Sequence, residues 1–409
     1  MIVTEDNSHM RELNVVLVTI DFPPQRTSAA VQMRDLAEEF ARQGHKPTII
    51  VPSPGLSNPW KLEHVGAVEV LRIRARPMRD IGYLKRTVNE TLLPFMMIAG
   101  LYRSPLWKKR WDLIAWYSPT IFFGLLILLL KWRSKGHAYL ILRDIFPEWA
   151  VDLNLIRKTP IYWYFRCVAH LQYVAADTIG VQTEANLPYL SRWAHKTGRT
   201  LEVLRNWQRF DIPGSKSSID FPSTSLSGRK IFIYIGNMGI AQGMDILIDL
   251  AASLIDRRDI GFAFVGRGSE ENRLRAMAAQ RCMDNILFFG EIPPEEIPAL
   301  LIQCYAGLIA LDPRHKSHNI PGKLLSYLHA GLPVLGRANQ DTDLITLINE
   351  ENVGRAFSGE ALADMKAFVI KICGDNQLRD DMSGRARDLA QRWFLPSIAV
   401  EQVISHLST

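Results

Sequence analysis

The sequence predicts an α/β protein with two parallel-sheet domains that face a central cleft. Apolar runs of strand length alternate with longer segments in which apolar residues recur at helical spacing, and this alternation occurs twice along the 409 residues. A segment rich in Ser, Pro and Gly separates the two series. We therefore predict a first domain over residues 1–210, a linker over 211–229, a second domain over 230–389 and a terminal helix over 390–409.

The first domain begins with a strand, a helix and a second strand, which is the start of a parallel sheet. The predicted strands are Leu13–Ile20, Thr48–Val51, Val68–Ala75, Asp112–Trp116, Tyr139–Leu142, Thr178–Val181 and Thr200–Leu204. The predicted helices are Met33–Phe40, Pro119–Trp132, Tyr162–Ala175 and Glu184–Ala194. The very apolar second helix is shorter than the ~20 residues that span a bilayer, so we predict that it is buried in the domain.

The second domain repeats the alternation, and each strand ends in a glycine or a polar loop. Its predicted strands are Ile231–Ile235, Phe262–Val265, Ile286–Phe289, Ala306–Leu311 and a run at Val334–Leu335. Its predicted helices are Met244–Leu254, Glu271–Ala279 and Glu295–Gln303, and Ile398–Leu407 is predicted as the last helix of the chain. Because the carboxyl ends of parallel strands share one edge of a sheet, these loops predict a nucleotide site there.

The helix that follows Ala306–Leu311 carries the strongest local signal for an anion. Pro321 and Gly322 precede Lys323 at its start, and Gly331 with Pro333 ends it. The unpaired N–H groups, the positive end of the helix dipole and the lysine ammonium all favour a phosphate there. A tight turn with a solvated lysine is the alternative.

The residues from Pro321 to Val334 resemble the donor-binding segment of family 4 glycosyltransferases, which have the GT-B fold. This resemblance extends over nearly the whole chain in the order of its loops. It implies two Rossmann-like domains, an acceptor-binding one over 1–210 and a nucleotide-sugar-binding one over 230–389, with the terminal helix crossing back onto the first. The donor-binding residues implied are Gly236, Asn237, Met238, Gly239, Arg267, Glu291, Ile292, His318, Asn319, Ile320, Pro321, Gly322 and Ser326.

Two departures from the family pattern concern charged side chains. The family usually has Arg and Lys in the loop after the first strand of this domain, where this chain has Asn237 and Gln242. It also usually has two glutamates eight positions apart, where this chain has His318 and Ser326. The phosphate charge would then be balanced mainly by Lys323, the helix start and Arg267.

Two turns of the first domain are candidates for contacts with the substrates. Asp144 and Glu148 lie in a turn that resembles the Asp-x-x-Pro-Glu turn of bacterial polysaccharide glycosyltransferases, and we predict that both act with Lys323 in catalysis. The alternative for Asp144 is an N-cap of the next turn. Thr27 and Ser28 replace the family's Gly-Gly pair, and we predict that they face the acceptor.

The resemblance implies a retaining glycosyltransferase that uses a nucleotide-diphosphate sugar, with UDP the expected nucleotide. We expect an N-acetylated amino sugar or a 6-deoxy amino sugar as the transferred group, and a lipid-linked or lipopolysaccharide acceptor. We expect neither a metal nor another cofactor, with protein cations and the helix dipole neutralising the leaving group instead. The alternatives are a weakly active or inactive GT-B partner subunit and a nucleotide-sugar epimerase.

Charge and composition indicate where the protein acts. Basic and aromatic residues are concentrated between Arg72 and Trp111, which suits an anionic membrane surface, although a solvated basic face over a core helix gives the same pattern. No recognised nucleic-acid motif accompanies the charge, so we do not expect nucleic acid as a partner. The start of the chain lacks the pattern of a signal peptide, and the four scattered cysteines suit a reducing compartment. We therefore expect a cytoplasmic protein on the inner face of the cell membrane, while the oligomeric state stays open.

Overall fold

The computed structural model describes residues 11–25, 27–79, 81–148, 159–210, 216–312, 319–340 and 342–407. These residues form two α/β lobes, each built on its own sheet. The sheets have eight and six strands, and every pairing between neighbouring strands is parallel except that of β3 with β4. The prediction of two parallel-sheet domains is therefore confirmed.

The first sheet has the strand order β3-β4-β2-β1-β5-β6-β7-β8. Its strands are β1 Asn14–Val18, β2 Lys46–Pro54, β3 Trp60–Val65, β4 Val68–Ala75, β5 Leu113–Tyr117, β6 His137–Leu142, β7 Thr178–Val181 and β8 Thr200–Val203. Its helices are α1 Ser28–Arg42, α2 Tyr83–Arg103, α3 Gly124–Ser134, α4 Pro160–Ala175 and the short α5 Ser191–Ala194.

The second sheet has the order β11-β10-β9-β12-β13-β14. Its strands are β9 Lys230–Ile235, β10 Ile260–Val265, β11 Ile286–Phe289, β12 Ala306–Ala310, β13 Val334–Arg337 and β14 Gly354–Phe357. The helices are α6 Asp245–Ser253, α7 Glu271–Gln280, α8 Ile297–Leu301, α9 Gly322–His329, α10 Asp343–Glu350, α11 Leu362–Gly374, α12 Asn376–Trp393 and α13 Pro396–Ile404.

The last helix and the segment between the sheets each pack into the core of a lobe. Helix α13 packs with α1, and its Val400 and Val403 are buried in the core of the first lobe. The sequence predicts a linker over 211–229, of which 211–215 lie outside the described residues. Phe221 and Leu226 are buried in the core of the second lobe, so this part of the predicted linker packs as part of that lobe.

Several predicted elements differ from the observed ones. Helix α3 begins at Gly124 rather than Pro119, because the Thr120 hydroxyl accepts a hydrogen bond from the Phe122 N–H in a turn before the helix. Pro188 has no N–H, and the predicted helix Glu184–Ala194 is a 3₁₀ segment followed by one turn of α5. None of the described helices combines the length and the apolar character that a membrane span requires.

Candidate active site

A cleft of about 700 Å³ lies between the two lobes. The second lobe contributes the loops that follow its parallel strands and the start of α9, whereas the first lobe contributes one face of α1 and the segment 207–209. The residues lining the cleft are Ser28, Val31, Gln32, Arg34, Glu38, Trp207, Gln208, Arg209, Ile235, Gly236, Asn237, Val265, Gly266, Glu291, Ile292, Pro294, Glu295, Ile297, Pro298, Gly322, Lys323, Leu325 and Ser326. The position at the carboxyl edge of the second sheet is where an open parallel sheet binds ligands.

Lys323 lies at the wall of this cleft, in the first turn of α9. Its Nζ atom is 3.4 Å from the centroid of the Tyr234 ring, and it lies beneath the loop that begins at Gly236. Burial lowers the pKa of Lys323 well below its usual value. No carboxylate of the described residues forms an ion pair with this ammonium, so the aromatic ring is the group that holds it.

The surroundings of Lys323 leave room for an anion. A Cβ atom added to Gly322 would meet nothing within 4 Å, so the start of α9 is open toward the cleft. Tyr234 is fully buried, and its hydroxyl donates a hydrogen bond of 2.6 Å to the carbonyl oxygen of Asn237. This hydrogen bond joins the Tyr234 ring, which contacts Lys323, to the loop that follows β9.

The glycines of the strand-end loops allow these loops to pack on one another. Gly266 has a φ of +144°, and a Cβ atom there would lie 2.1 Å from the carbonyl oxygen of Gly236. A Cβ atom on Gly268 would lie 2.2 Å from the carbonyl oxygen of Met238. The two turns that follow β9 and β10 therefore form one layer, whose edge lines the cleft at Gly236 and Gly266.

The positions that depart from the family pattern carry neutral hydrogen bonds. The Asn237 Nδ2 atom donates to Oε1 of Gln242 at 3.2 Å, and the N–H of Gly239 donates to the same oxygen at 3.0 Å. The Ser326 hydroxyl donates to Oε1 of Gln208 in the first lobe, also at 3.0 Å. These side chains shape the cleft but bring no charge to it.

The predicted cation Arg267 lies away from the lining of the cleft. Its side chain is 79% exposed and forms an ion pair of 3.0 Å with Glu291. Its carbonyl oxygen accepts a hydrogen bond from the N–H of Met238, which is buried. The backbone of Arg267 thus supports the loop, and its guanidinium already has an anionic partner.

The segment before α9 contacts the first lobe. Asn319 donates a hydrogen bond of 3.2 Å to Oδ1 of Asp144, and Gln182 donates one of 2.9 Å to the carbonyl oxygen of Ile320. Asn319, Ile320 and Pro321 do not belong to the described lining of the cleft. The predicted donor residue His318 lies outside the described residues.

Asp144 lies at the carboxyl end of β6, at the contact between the lobes. Its carboxylate is largely buried, and this burial raises its pKa, while the hydrogen bond from Asn319 and the neighbouring Arg143 act in the opposite direction. The hydrogen bond from Asn319 joins Asp144 to the second lobe. An N-cap of the local turn, the alternative role for Asp144, would not require this contact. Glu148 is half-buried and lies near the Tyr173 hydroxyl, whose pKa is raised by burial and by this carboxylate.

Thr27 and Ser28 have different positions at the start of α1. The Thr27 hydroxyl caps the helix by accepting the N–H of Ala30 at 3.2 Å, and it donates to Asp21 at 3.0 Å. Ser28 lines the cleft. Of this pair, Ser28 is therefore the residue placed to meet a substrate.

Apart from Ser28, the residues on the first-lobe side of the cleft were not predicted from the sequence. Gln32, Arg34 and Glu38 lie on the face of α1 that begins at Ser28, and helical spacing from Ser28 could have indicated this face. Trp207 is fully buried and donates its indole N–H to the carbonyl oxygen of Gln32 at 2.7 Å. No signal in the sequence indicates that Trp207 lies opposite the glycine loops.

Asp144→Asn separates a chemical role of the carboxylate from a structural one. Asparagine retains the acceptor oxygen for Asn319 and removes a buried charge, so we expect an unchanged or higher melting temperature. If the carboxylate contacts a substrate, turnover should fall by roughly tenfold. Wild-type turnover together with a normal melting temperature would show that Asp144 has no catalytic role.

The fold agrees with comparisons with known proteins. The family model for glycosyl transferases group 1 matches residues 215–389. The chain is 26% identical over 357 residues to the putative colanic acid biosynthesis glycosyl transferase WcaI of Escherichia coli (strain K12), which covers 81% of this chain and 85% of that protein.

Solved structures share the fold along almost their whole length. Sucrose-phosphate synthase from Thermosynechococcus elongatus has a TM-score of 0.71 at 15% identity, covering 96% of this chain and 98% of that one. WaaG, a glycosyltransferase involved in lipopolysaccharide biosynthesis, has a TM-score of 0.63 at 16% identity, covering 95% and 99%. Anabaena HepE in complex with UDP-glucose has a TM-score of 0.63 at 16% identity, covering 96% and 99%.

Two parallel-sheet lobes that enclose a cleft, with glycine loops and a lysine at the start of a helix, define a protein of the GT-B fold. Its second lobe matches the group 1 glycosyl transferases, and the chain as a whole is similar to glycosyltransferases of this fold, in agreement with the resemblance of its sequence.

Proposed function

We propose that this protein transfers a sugar from a nucleotide-diphosphate donor, with UDP as the nucleotide, to a lipid-linked or lipopolysaccharide acceptor. The observation that carries the proposal is the Lys323 ammonium, which lies at the cleft wall over the Tyr234 ring and has no carboxylate partner among the described residues. Burial lowers the pKa of this half-buried lysine, so its charged form gains from a ligand that supplies an anion. A diphosphate supplies it.

The reaction needs charge stabilisation where the nucleotide leaves. Negative charge develops on the diphosphate as the bond to the sugar breaks, and Lys323 with the open start of α9 would stabilise it. We propose that these groups do so without a metal ion. The family resemblance supports retention of configuration, with attack from the face that the diphosphate leaves and the diphosphate accepting the proton of the acceptor.

The relatives support the choice of nucleotide and of product. The structures of Anabaena HepE contain UDP or UDP-glucose, which favours UDP. WaaG is described as acting in lipopolysaccharide biosynthesis and WcaI as a putative enzyme of colanic acid biosynthesis, which favours a surface polysaccharide as the product. The proposed donor sugar is an N-acetylated amino sugar or a 6-deoxy amino sugar, and the proposed place of action is the inner face of the cell membrane.

A nucleotide-release assay tests the proposal. Purified protein is incubated with a panel of UDP-sugars, and slow release of UDP is expected from the correct donor even without an acceptor. Mass spectrometry of surface polysaccharide from a deletion strain would then identify the missing sugar. Nucleotide binding without any turnover would contradict the transferase.

One observation favours a second candidate, a non-catalytic GT-B partner subunit. Asn237, Gln242 and Ser326 bond to neutral groups where the family usually has charged side chains. Such a subunit would bind nucleotide and raise the activity of another transferase when the two are mixed, which the release assay on the isolated protein distinguishes.

Donor binding should depend on pH through Lys323. Burial lowers the pKa of this lysine, and a bound diphosphate favours the charged form and raises the pKa again. At pH values between the pKa of Lys323 in the free protein and its pKa in the complex, UDP binding therefore takes up a proton. The affinity for UDP falls as the pH rises above the pKa of Lys323 in the free protein.

Calorimetric titration of UDP in two buffers with different ionisation enthalpies measures this uptake. We expect different heats in the two buffers at some pH between neutral and about pH 10, and equal heats for the Lys323→Gln variant. Equal heats for the wild type over this whole range would contradict the prediction.

A further inference from the structure

The first turns of α2 and α4 lie at the cleft end of the first lobe. Each helix follows a strand of the parallel sheet and leads to the opposite edge, where the next strand begins, so each starts near the carboxyl edge of the sheet. The two helices contact each other directly, because the Thr91 and Tyr164 hydroxyls are 2.6 Å apart. Their outer faces belong to one surface.

Large apolar side chains are exposed on these first turns. The exposed fractions are 89% for Tyr83 and 79% for Leu84 on α2, and 55% for Ile161 and 51% for Trp163 on α4. Four large exposed apolar side chains on two helices that touch differ from the single exposed apolar residues of an ordinary surface. We call this surface the apolar rim.

Basic side chains accompany the apolar rim. Lys85, Arg86 and Arg166 are exposed, and the Arg166 guanidinium lies 5.1 Å from the centroid of the Trp163 ring. Glu90 is the one acidic residue in the sequences of α2 and α4, and Arg86 donates a hydrogen bond of 2.8 Å to it. The rim therefore combines apolar contact area with net positive charge.

An aromatic cluster connects the rim to the cleft side of the lobe. Phe165 of α4 contacts Phe146 at a centroid distance of 5.1 Å and Phe122 at 6.5 Å. Phe146 belongs to the turn that follows Asp144, and this turn reaches the second lobe through Asn319. Helix α4 and the contact between the lobes thus form one packed unit.

We propose that the apolar rim docks on an anionic bilayer surface and brings the cleft to an acceptor held there. Basic residues and exposed Trp, Tyr and Leu are the side chains that bind the interface of an anionic membrane. The part concerning the acceptor rests on the proposed function, whereas docking itself requires neither donor nor turnover.

In the basic region that the sequence predicts over Arg72 to Trp111, some residues are held by contacts within the lobe. Lys109 forms an ion pair of 2.8 Å with Glu69, and Trp111 is buried. Arg72 forms an ion pair of 2.6 Å with Glu63. These residues belong to the lobe itself, and we assign the membrane surface to the start of α2 together with α4.

Vesicle sedimentation tests the proposal with the full chain and no nucleotide. The wild type should sediment with phosphatidylglycerol vesicles at low salt and much less with phosphatidylcholine vesicles. The Lys85→Gln, Arg166→Gln double variant should partition about thirtyfold less strongly, from the usual contribution of a cation at an anionic surface. The Leu84→Ser, Trp163→Ser variant should lose binding by a similar factor.

Matched controls lie at the opposite edge of the same helical layer. Lys108→Gln with Lys135→Gln removes two exposed cations, and Trp132→Ser removes an aromatic side chain that is 76% exposed. Both controls should bind like the wild type.

Equal losses in the controls and the rim variants, equal binding to both kinds of vesicle, or no binding by the wild type would each overturn the proposal. A protein that releases UDP but ignores vesicles would refute the rim alone, and one that binds vesicles but releases no nucleotide would refute the transferase alone.

Discussion

Lys323→Ala should lower kcat on the order of a hundredfold while weakening donor binding much less. The ammonium is the cation at the start of α9, and removing one preorganised group that stabilises a leaving group costs about 3 kcal/mol of transition-state energy. The change removes a half-buried cation whose charged form is disfavoured by its surroundings, so we expect little loss of folding stability. Steady-state kinetics with the correct UDP-sugar, beside thermal unfolding, measure both effects.

Two further variants separate charge from shape at this position. Lys323→Met keeps an unbranched side chain, one atom shorter than lysine, beside the Tyr234 ring but lacks the charge, so it should be as slow as Lys323→Ala. Lys323→Arg should restore only part of the rate, because a guanidinium is larger and planar where the buried space fits an ammonium. Turnover within about twofold of the wild type for Lys323→Ala would show that other groups hold the diphosphate.

Gly322→Glu should weaken donor binding on the order of a hundredfold. A side chain at this position extends into open space at the cleft, so the carboxylate would stand beside Lys323 and compete with the diphosphate. Two unit charges about 4 Å apart interact by about 4 kcal/mol near a protein surface, which suffices for such a loss. An acidic residue in the first helical turn also favours the dipole, so the melting temperature should not fall.

Gly322→Gln is the matched control, since glutamine has the size of glutamate without its charge. We expect a much smaller loss for Gln and almost none for Gly322→Ala. Competition between UDP and a fluorescent nucleotide gives the three affinities. Equal losses for Glu and Gln would mean that bulk, and not charge, closes the site.

Much of the fold could be predicted because buried parallel strands are continuous apolar runs. β9 and β12 are examples, and both lie in the centre of their sheet. The edge strand β3 was missed, because Trp60–Val65 mixes charged and apolar residues on a partly exposed surface. Its antiparallel pairing with β4 depends on a neighbour and not on its own pattern.

The second-lobe side of the cleft was predictable for a similar reason. Strand-end loops converge at one edge of a parallel sheet, so Gly236, Glu291 and Gly322 could be brought together from the sequence. The burial of Lys323 over Tyr234 was not predictable, because it depends on how α9 packs against β9. Arg34 and Trp207 reach the cleft through the packing of one lobe on the other, which no local pattern specifies.

The most direct test of the central claim measures nucleotide release and donor binding on the same two proteins, the wild type and Lys323→Ala. The claim is that the cleft around Lys323 holds the diphosphate of a sugar donor during transfer. We predict UDP release from at least one UDP-sugar by the wild type, and release on the order of a hundredfold slower by the variant at saturating donor. Binding of UDP without any turnover by the wild type, or equal release by both proteins, would contradict it.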